Sequence, residues 1–580
     1  DAKTFGTSSI MLGDATTGTI DGANYNTGLG VDVFAALTSG DNNTAVGFKA
    51  LIGNTTGSGN TAFGKGAGYR ITTGNDNTYL GHTDDSNAGA ATSSSNTFIG
   101  RSAGERNTSG SSNTFIGALC GDLATTGNTN TGVGSSALTA LTTAANNTAV
   151  GSSALGANTT GTGNVAVGTN SLDANTTASF STAVGFQALT TTITGEGSTA
   201  VGHYALQSQN GGSSNVAIGR SAMQNTTSGS ESVALGTYAL RAATVSDSSV
   251  AIGHYAMNAT TTGNDNVAVG WRSLFNNTTG VQNVAVGKSA LAANTTGEAN
   301  TAVGFQALDT NTTGQGEAFG SGALGSQTTG SENQAFGLSA LAALTTGTSN
   351  VAIGKGAFQA LTTGSDSVAI GRGAGDAVTT AASNTFVGSQ AGGANTTGAS
   401  NTTVGAASGT AITTGSNNTF LGKDAASTST TGSENVIIGS SSSTVSVGSS
   451  NAQGFGYNLT CSDNYTTIGQ GTADIRAEHG VATWATVSDE RYKKDIVDST
   501  AGLSFINALQ PRTFKYKTLG ELPETFNAYE ADSTKVFKNS NTNHGFIAQE
   551  IKVAIDADDS IKDGFRLWDD RDDGSQEVAE

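Results

Sequence analysis

Residues 147–168 read NTAVGSSALGANTTGTGNVAVG, and the last letters nearly repeat the first. The glycine that ends each AVG motif, here Gly151 and Gly168, recurs 26 times between Gly13 and Gly439, and we call it the coil glycine. Of the 25 intervals between successive coil glycines, 23 are 17 residues long. A period this strict predicts a solenoid of stacked coils, in which each unit buries its apolar face only against its neighbours.

Fixed places in the repeat carry fixed residue types. The residue directly before the coil glycine, which we call the strand-end residue, is large and apolar, as at Val167 and Leu235. We expect it to point into a core. The residue before that is alanine in 16 copies, including Ala166 and Ala217. Because adjacent strand residues face opposite sides, we expect both faces to be buried, with the alanines at a close approach between chains.

A second apolar ladder lies four residues after the coil glycine. Leucine or methionine occupies this place without a break from Leu138 to Leu341. The NTTG segments between the ladders have turn chemistry, so the pattern favours two short strands in each coil. Four residues before the glycine stands Asn or Ser, as at Asn147 and Asn164, which predicts a structural amide ladder. Strands about 4.8 Å apart would give a rod of roughly 120 Å.

The motif N-x-A-V/I-G followed by A-L resembles the head repeats of trimeric autotransporter adhesins over residues 1–440. That resemblance implies a parallel β-roll in each of three chains, packed about a three-fold axis, although the coils here are longer than is usual in that family. We therefore expect a mostly β, homotrimeric fibre whose axis is lined by the alanine or the leucine ladder. In residues 441–487 the period fails, and we interpret this segment as a neck or cap.

Composition and charge exclude several function classes. The net charge of −19 without a basic stripe argues against a nucleic-acid partner. The sequence has no run of 18 apolar residues and no signal peptide at its start, so we expect no membrane insertion. Cys120 and Cys461 lie far apart and form no ligand cluster with the five histidines, so we expect neither a metal nor a cofactor.

The composition changes near Ser488. Residues 488–580 hold both prolines and 12 of the 26 Lys and Arg residues, which predicts a separate small α+β domain. AGLSFINAL and GFIAQEIKVAI within it show the apolar spacing of helices. Three segments, SDERYKKDI, ALQPRTFKYK and HGFIAQEI, occur in that order and closely resemble the endosialidase-type intramolecular chaperone at the C-terminus of phage tailspikes and tail fibres.

This second resemblance implies an activity at one bond. Members of that family assist trimerisation and then release themselves with a Ser–Lys dyad, which places the nucleophile on Ser488, the scissile bond at Ser488–Asp489 and the general base on Lys493. A lysine can accept the serine proton if burial or a neighbouring cation lowers its pKa. The spacing alone also fits a solvated turn, and we expect His544 to be structural. At most, the sequence predicts a single-turnover serine peptidase.

The leading hypothesis is a virion tail fibre that attaches to a host-surface receptor, with glycans among the candidate receptors. A bacterial surface adhesin at the cell exterior is the main alternative. An ice- or crystal-binding solenoid is disfavoured, because the repeated threonines of this chain, such as Thr159 and Thr160, occupy turns, and turn residues form a poor flat face. A glycan-cleaving tailspike needs paired carboxylates, and acidic residues such as Asp173 and Glu196 recur at no constant place.

Overall fold

The computed structural model describes residues 2–13, 22–83, 89–480, 485–486, 502–526, 528–538, 540–559, 561, 568–570 and 576–578. The chain divides into two compact units, Asp1–Thr486 and Val487–Glu580. The first unit contains the repeat, and the second contains the two helices described below.

The first unit is a β-solenoid of about 26 turns with one short strand in each coil. Each strand from β2 to β27 pairs in parallel with the strand of the next coil. The strands of this ladder are β2 (Ser9–Leu12), β3 (Thr27–Leu29), β4 (Thr44–Val46), β5 (Thr61–Phe63), β6 (Thr78–Leu80), β7 (Thr97–Ile99), β8 (Thr114–Ile116), β9 (Thr131–Val133), β10 (Thr148–Val150), β11 (Val165–Val167), β12 (Thr182–Val184), β13 (Thr199–Val201), β14 (Val216–Ile218), β15 (Val233–Leu235), β16 (Val250–Ile252), β17 (Val267–Val269), β18 (Val284–Val286), β19 (Thr301–Val303), β20 (Gly316–Phe319), β21 (Asn333–Phe336), β22 (Val351–Ile353), β23 (Val368–Ile370), β24 (Thr385–Val387), β25 (Thr402–Val404), β26 (Thr419–Leu421) and β27 (Val436–Ile438).

Both ends of this ladder differ from its middle. At the start, β1 (Ala2–Phe5) pairs antiparallel with β2. At the other end the parallel ladder continues beyond residue 440, through β29 (Gln453–Tyr457) and β31 (Tyr465–Gln470), and then turns antiparallel in β32 (Ala473–Glu478) and β33 (Ala485–Thr486). A second pair, β28 (Ser443–Thr444) and β30 (Thr460–Cys461), forms beside it.

The prediction of two strands in each coil is wrong. The leucine ladder lies in turns, and its residues adopt a left-handed backbone, with φ of +50° at Leu172 and +52° at Leu291. A residue in this conformation cannot continue a strand, and L-residues with side chains rarely adopt it. The repeat therefore makes one strand of three or four residues and returns to it through tight turns.

The interior of the coil is narrow and holds the alanine ladder and the leucine ladder. Ala166, Ala217 and Leu172 are fully buried within one chain. The strand-end residues lie outside instead, and Leu235 is 43% exposed. They therefore do not point into the core of the coil, because the alanine takes the inward side of the strand and its neighbour must face outward. The alanine and leucine ladders are both buried inside one chain, so neither can line an axis between chains.

The amide ladder is confirmed as a structural feature. The backbone N–H of Asn164 donates to Asn147 Oδ1 at 3.0 Å, and that of Asn147 donates to Asn130 Oδ1 at 3.0 Å. The Asn164 side chain in turn donates from Nδ2 to the carbonyl of Ala178 at 2.9 Å. Asn147 and Asn164 thus each bond to the coil before and to the turn after, so the chain itself uses both amide groups.

The coil glycine is required by contact between neighbouring coils. Gly168 has φ of +135°, and a Cβ added there would lie 2.4 Å from the carbonyl oxygen of Gly185 in the next coil. Since this distance is far below van der Waals contact, no other residue fits while the coils stack at this spacing.

The second unit is small and mixes helices with short strands. Its elements are α1 (Leu503–Ala508), β34 (Arg512–Phe514), a 3₁₀ turn (Leu519–Glu521), β35 (Asn543–Gly545), α2 (Ala548–Asp556), β36 (Trp568–Asp570) and β37 (Gln576–Val578). Phe505 of α1 packs with Ile551 and Ile555 of α2 in a buried cluster that also includes Ile561. The two helices expected from apolar spacing are therefore confirmed, since each contributes its apolar face to this cluster.

Candidate functional site

The predicted cleavage site, Ser488, Asp489 and Lys493, lies outside the residues that the structure describes. The dyad assignment therefore stays a prediction from the first sequence motif. The described part of this unit begins at residue 502 and contains the other two motifs, ALQPRTFKYK and HGFIAQEI.

The second and third motifs lie together in space. Strand β34 pairs antiparallel with β35, with Arg512 opposite Gly545 and Phe514 opposite Asn543. The α2 helix follows β35 directly and brings Glu550 to Arg512. The two segments, about 30 residues apart in sequence, thus form one sheet-and-helix substructure.

A two-pronged ion pair joins these motifs. Arg512 donates from Nε to Glu550 Oε2 at 2.9 Å and from a terminal nitrogen to Oε1 at 2.7 Å. The hydrogen bonds hold the pKa of the Glu550 carboxyl below, and that of the guanidinium above, their ordinary values. The pair is solvent-exposed, so its contribution is chiefly geometric. Sequence reasoning missed it, because no local pattern links two residues 38 positions apart.

A second carboxylate fixes the turn after β34. The backbone N–H and the hydroxyl of Thr518 both donate to Glu521 Oε2 at 2.9 Å. The backbone bond is the main cause of the lowered pKa of Glu521. This reciprocal cap closes the 3₁₀ turn and shows a structural use for the carboxylate.

His544 takes part in the sheet. Its side chain is exposed, and Nδ1 lies 3.2 Å from the Thr513 hydroxyl on the paired strand. This cross-strand contact is consistent with the structural role that we expected for this histidine.

The helices of the second unit also present apolar side chains to solvent. Leu503 and Ile506 on α1 and Val553 on α2 are 78%, 58% and 68% exposed. The same short helices thus bury one side in the small core and expose large apolar groups elsewhere.

The described ranges contain neither a cluster suited to a metal ion nor a helix suited to a membrane. Among the residues that the structure describes, no group of three or more His, Cys, Asp or Glu side chains is placed to hold a metal ion. Within the same ranges, none of the helices has the length and apolarity needed to cross a membrane.

Comparison with known proteins gives one match. A family model described as "Chaperone of endosialidase" matches residues 488–559, which include all three motifs. No curated protein and no solved structure matches the chain. The chain therefore carries an endosialidase-chaperone domain behind a β-solenoid of about 26 turns, an arrangement that fits a tailspike or fibre with a C-terminal chaperone.

Proposed function

We propose that this protein is a homotrimeric tail fibre of a virion that attaches to a host surface. Its C-terminal domain directs assembly of the trimer and then separates by cleavage between Ser488 and Asp489. The observation that carries the proposal is the match of residues 488–559 to a chaperone family, directly behind a long stack of near-identical coils.

The outward face of the strands supports a trimer. The strand-end residues form an apolar ladder along the solenoid, which we call the outer ladder. Its members at least 36% exposed are Leu12, Leu29, Phe63, Leu80, Val150, Ile218, Leu235, Phe319, Phe336, Ile353, Ile370, Leu421 and Ile438. Soluble monomers rarely expose a continuous apolar row of this length. Packing of three such ladders against one another would remove it from water and stabilise the fibre.

The sameness of the coils creates a need for a chaperone. A slip of one whole coil between chains places every outer-ladder residue against an almost identical neighbour, so the repeat itself specifies register weakly. A terminal domain that associates first would set the register before the coils pack. The exposed Leu503, Ile506 and Val553 provide an apolar surface for that first association.

The self-cleavage step is ordinary acyl transfer. The Lys493 amine accepts the Ser488 hydroxyl proton as the oxygen attacks the carbonyl carbon of the Ser488–Asp489 peptide bond in a neighbouring chain of the trimer, since attack on its own carbonyl would close a strained four-membered ring. The C–N bond breaks, the proton passes to the Asp489 nitrogen, and water then hydrolyses the ester. No metal or cofactor enters this scheme.

Expression of five versions tests the proposal: the wild type, Ser488→Ala, Lys493→Ala, a deletion of residues 489–580, and Ser499→Ala as a matched control. The wild type and the control should yield a trimeric long fragment ending at Ser488. Both dyad variants should form uncut trimers, because folding assistance precedes cleavage. The deletion should yield insoluble or misassembled coils. Denaturing gels, intact mass and solution mass measure these outcomes.

Each part of the proposal has its own contrary result. Cleavage that persists in Ser488→Ala contradicts the dyad, and an uncut wild type contradicts the peptidase activity. Well-formed trimers from the deletion contradict the chaperone role. A monomeric wild type contradicts the fibre.

A further inference from the structure

Eight consecutive coils in the middle of the solenoid carry a surface that the repeat does not require. In the coils of Gly185 to Gly304, the two residues after the coil glycine include eight aromatic side chains or histidines. Most other coils hold small residues at these places, such as Ser152 and Ser153, or a cation, as at Lys355, and aromatic side chains or histidines occur there singly, as at Phe48 and His82. We call this surface, together with Arg241 and Phe275, the aromatic–cationic stripe. At about 4.8 Å for each coil it is about 34 Å long.

The side chains of the stripe contact one another from coil to coil. At one end Phe186 stacks on His203, with ring centroids 5.4 Å apart, and His203 lies 3.8 Å from Tyr204. In the middle, Tyr238 stacks on Tyr255 at 5.2 Å. The distances of 5.4 and 5.2 Å between coils are close to the coil spacing of about 4.8 Å, so the solenoid holds the rings in a fixed row.

Cations continue the row and cover ring faces. The guanidinium groups of Arg220 and Arg241 lie 4.6 and 5.0 Å from the centre of the Tyr238 ring. Further along, Lys288 Nζ lies 5.0 Å from the Trp271 ring and 5.6 Å from that of Phe305. Trp271 and Phe305 remain 41% and 47% exposed. The stripe is thus both apolar and positively charged along its length.

Three tyrosines occupy backbone positions that disfavour them. Tyr204, Tyr238 and Tyr255 have φ of +60°, +59° and +61°. The same left-handed conformation recurs at this place in other coils, with serine, glutamine or glycine there, as at Ser153, Gln187 and Gly322. The coil therefore imposes this conformation whatever the side chain, and it does not require a tyrosine at this place.

The charges on the stripe differ from those of the whole chain. Four bases, Arg220, Arg241, Arg272 and Lys288, lie on it, and Asp309 stands at one end, 3.2 Å from Gln306. The other carboxylates of these coils precede the strand by two or three residues, as at Glu231 and Asp265. The chain carries a net charge of −19, so the stripe is a cationic surface on an acidic protein.

We propose that the aromatic–cationic stripe binds an acidic polysaccharide that lies along the solenoid. This inference rests on the proposed surface-attaching fibre and names the chemical class of its receptor. Cations lie against the Tyr238, Trp271 and Phe305 rings, so the stripe presents positive charge and tyrosine hydroxyls beside partly exposed rings. This combination suits a flexible chain rich in oxygens and carboxylates.

Two other occupants fit this surface less well. Single-stranded nucleic acid binds by stacking its bases on free ring faces, but Arg220, Arg241 and Tyr255 contact the Tyr238 ring. A second copy of the chain packed on the stripe would bring like charges together around a three-fold axis. The outer ladder is uncharged and suits the packing of chains better. Both occupants are outcomes of the test below.

The test measures binding of the full-length protein to polygalacturonate, alginate and heparin, with dextran as the neutral polymer and an oligothymidylate as the nucleic acid. The variant carries Arg220→Ser, Tyr238→Ser and Trp271→Ser, each replaced by a residue found at these places in other coils. The matched control carries Phe48→Ser and Arg372→Ser, which stand directly after coil glycines outside the stripe. Solution mass of every version is measured in parallel.

We expect the wild type to bind at least one acidic polymer and not dextran, with weaker binding as salt rises. The stripe variant should lose at least about tenfold in affinity as a trimer, and the control should bind like the wild type. Failure to bind all three acidic polymers, preference for the oligothymidylate, equal loss in the control, or dissociation of the stripe variant would each overturn the inference. A wild-type monomer that binds through the stripe would contradict the proposed fibre alone.

Discussion

At the scale of single residues, the interior of the coil contains both satisfied and unsatisfied hydroxyl groups. Thr159 Oγ1 donates to the carbonyl of Thr176 in the next coil at 3.0 Å, and this bond recurs along the solenoid. Thr192, Thr226 and Thr260 occupy the place one residue earlier in their coils, are fully buried, and have hydroxyls without a partner among the described residues. The same residue type thus stabilises the coil at one place and costs free energy at the next.

This difference predicts opposite effects of one substitution. Thr226→Val keeps the shape and removes an unpaired buried hydroxyl, so the free energy of unfolding should rise by about 1 kcal/mol. Thr159→Val removes a hydrogen bond between coils, so it should fall by about 1 kcal/mol. Thermal and denaturant unfolding of the two variants measure the effect. A loss of stability in Thr226→Val would show that its hydroxyl does have a partner.

Residue types decided which features could be predicted from the sequence. The amide ladder was predicted correctly, because an Asn repeated at one place has few structural uses other than a hydrogen-bonded row. The pattern predicts Leu172 in a strand, since nothing in the sequence indicates that a leucine adopts φ of +50°. It predicts Val167 in the core of the coil because this residue is apolar, but Ala166 beside it takes the inward side of the strand, so Val167 faces outward.

At the scale of the strand, one face is buried inside the coil of the same chain and the other face is exposed to solvent. In β14 and β15, Ala217 and Ala234 point inward and are fully buried. Ile218 and Leu235 point outward and are 38% and 43% exposed. A charge on the inward face should therefore have a different consequence from a charge on the outward face, although the two positions are adjacent in sequence.

We expect Ile218→Asp with Leu235→Asp to dissociate the trimer while each chain keeps its β-solenoid, because carboxylates would meet across the outer ladder. Ala234→Asp should instead disrupt the coil itself by burying an unpaired charge. Thr262→Asp, in an exposed turn, is the control and should change neither property. Solution mass and circular dichroism separate the cases. A trimer indifferent to the paired Asp substitutions would exclude the outer ladder as the interface.

The element scale also explains why the stripe escaped sequence reasoning. Residues of the stripe that contact each other, such as Tyr238 and Tyr255, stand 17 residues apart in sequence, and their contact follows only from the coil register. The Arg512–Glu550 pair was missed for the same reason. By contrast, the chaperone domain was identified from contiguous motifs, which need no knowledge of the fold.

At the scale of the whole molecule, the solenoid grows by units that contact only their neighbours. Removal of residues 147–197, three whole coils, joins Asn146 to Ser198 and restores the repeat. This variant should assemble and melt like the wild type, with a rod shorter by about 14 Å. Removal of residues 147–189 leaves half a coil out of phase and should misassemble. Electron microscopy and thermal melting measure both. Equal tolerance of the two deletions would contradict nearest-neighbour stacking.

The backbone hydrogen bonds between coils have a mechanical consequence. Bonds such as Leu172 N–H to the carbonyl of Ala188 at 3.0 Å connect one coil to the next along the direction of stacking. A force that stretches the solenoid therefore loads the bonds of one interface together, while successive interfaces carry the same tension in series. Its tensile strength is then that of the weakest interface between two coils, and a longer solenoid should be no harder to rupture than a shorter one.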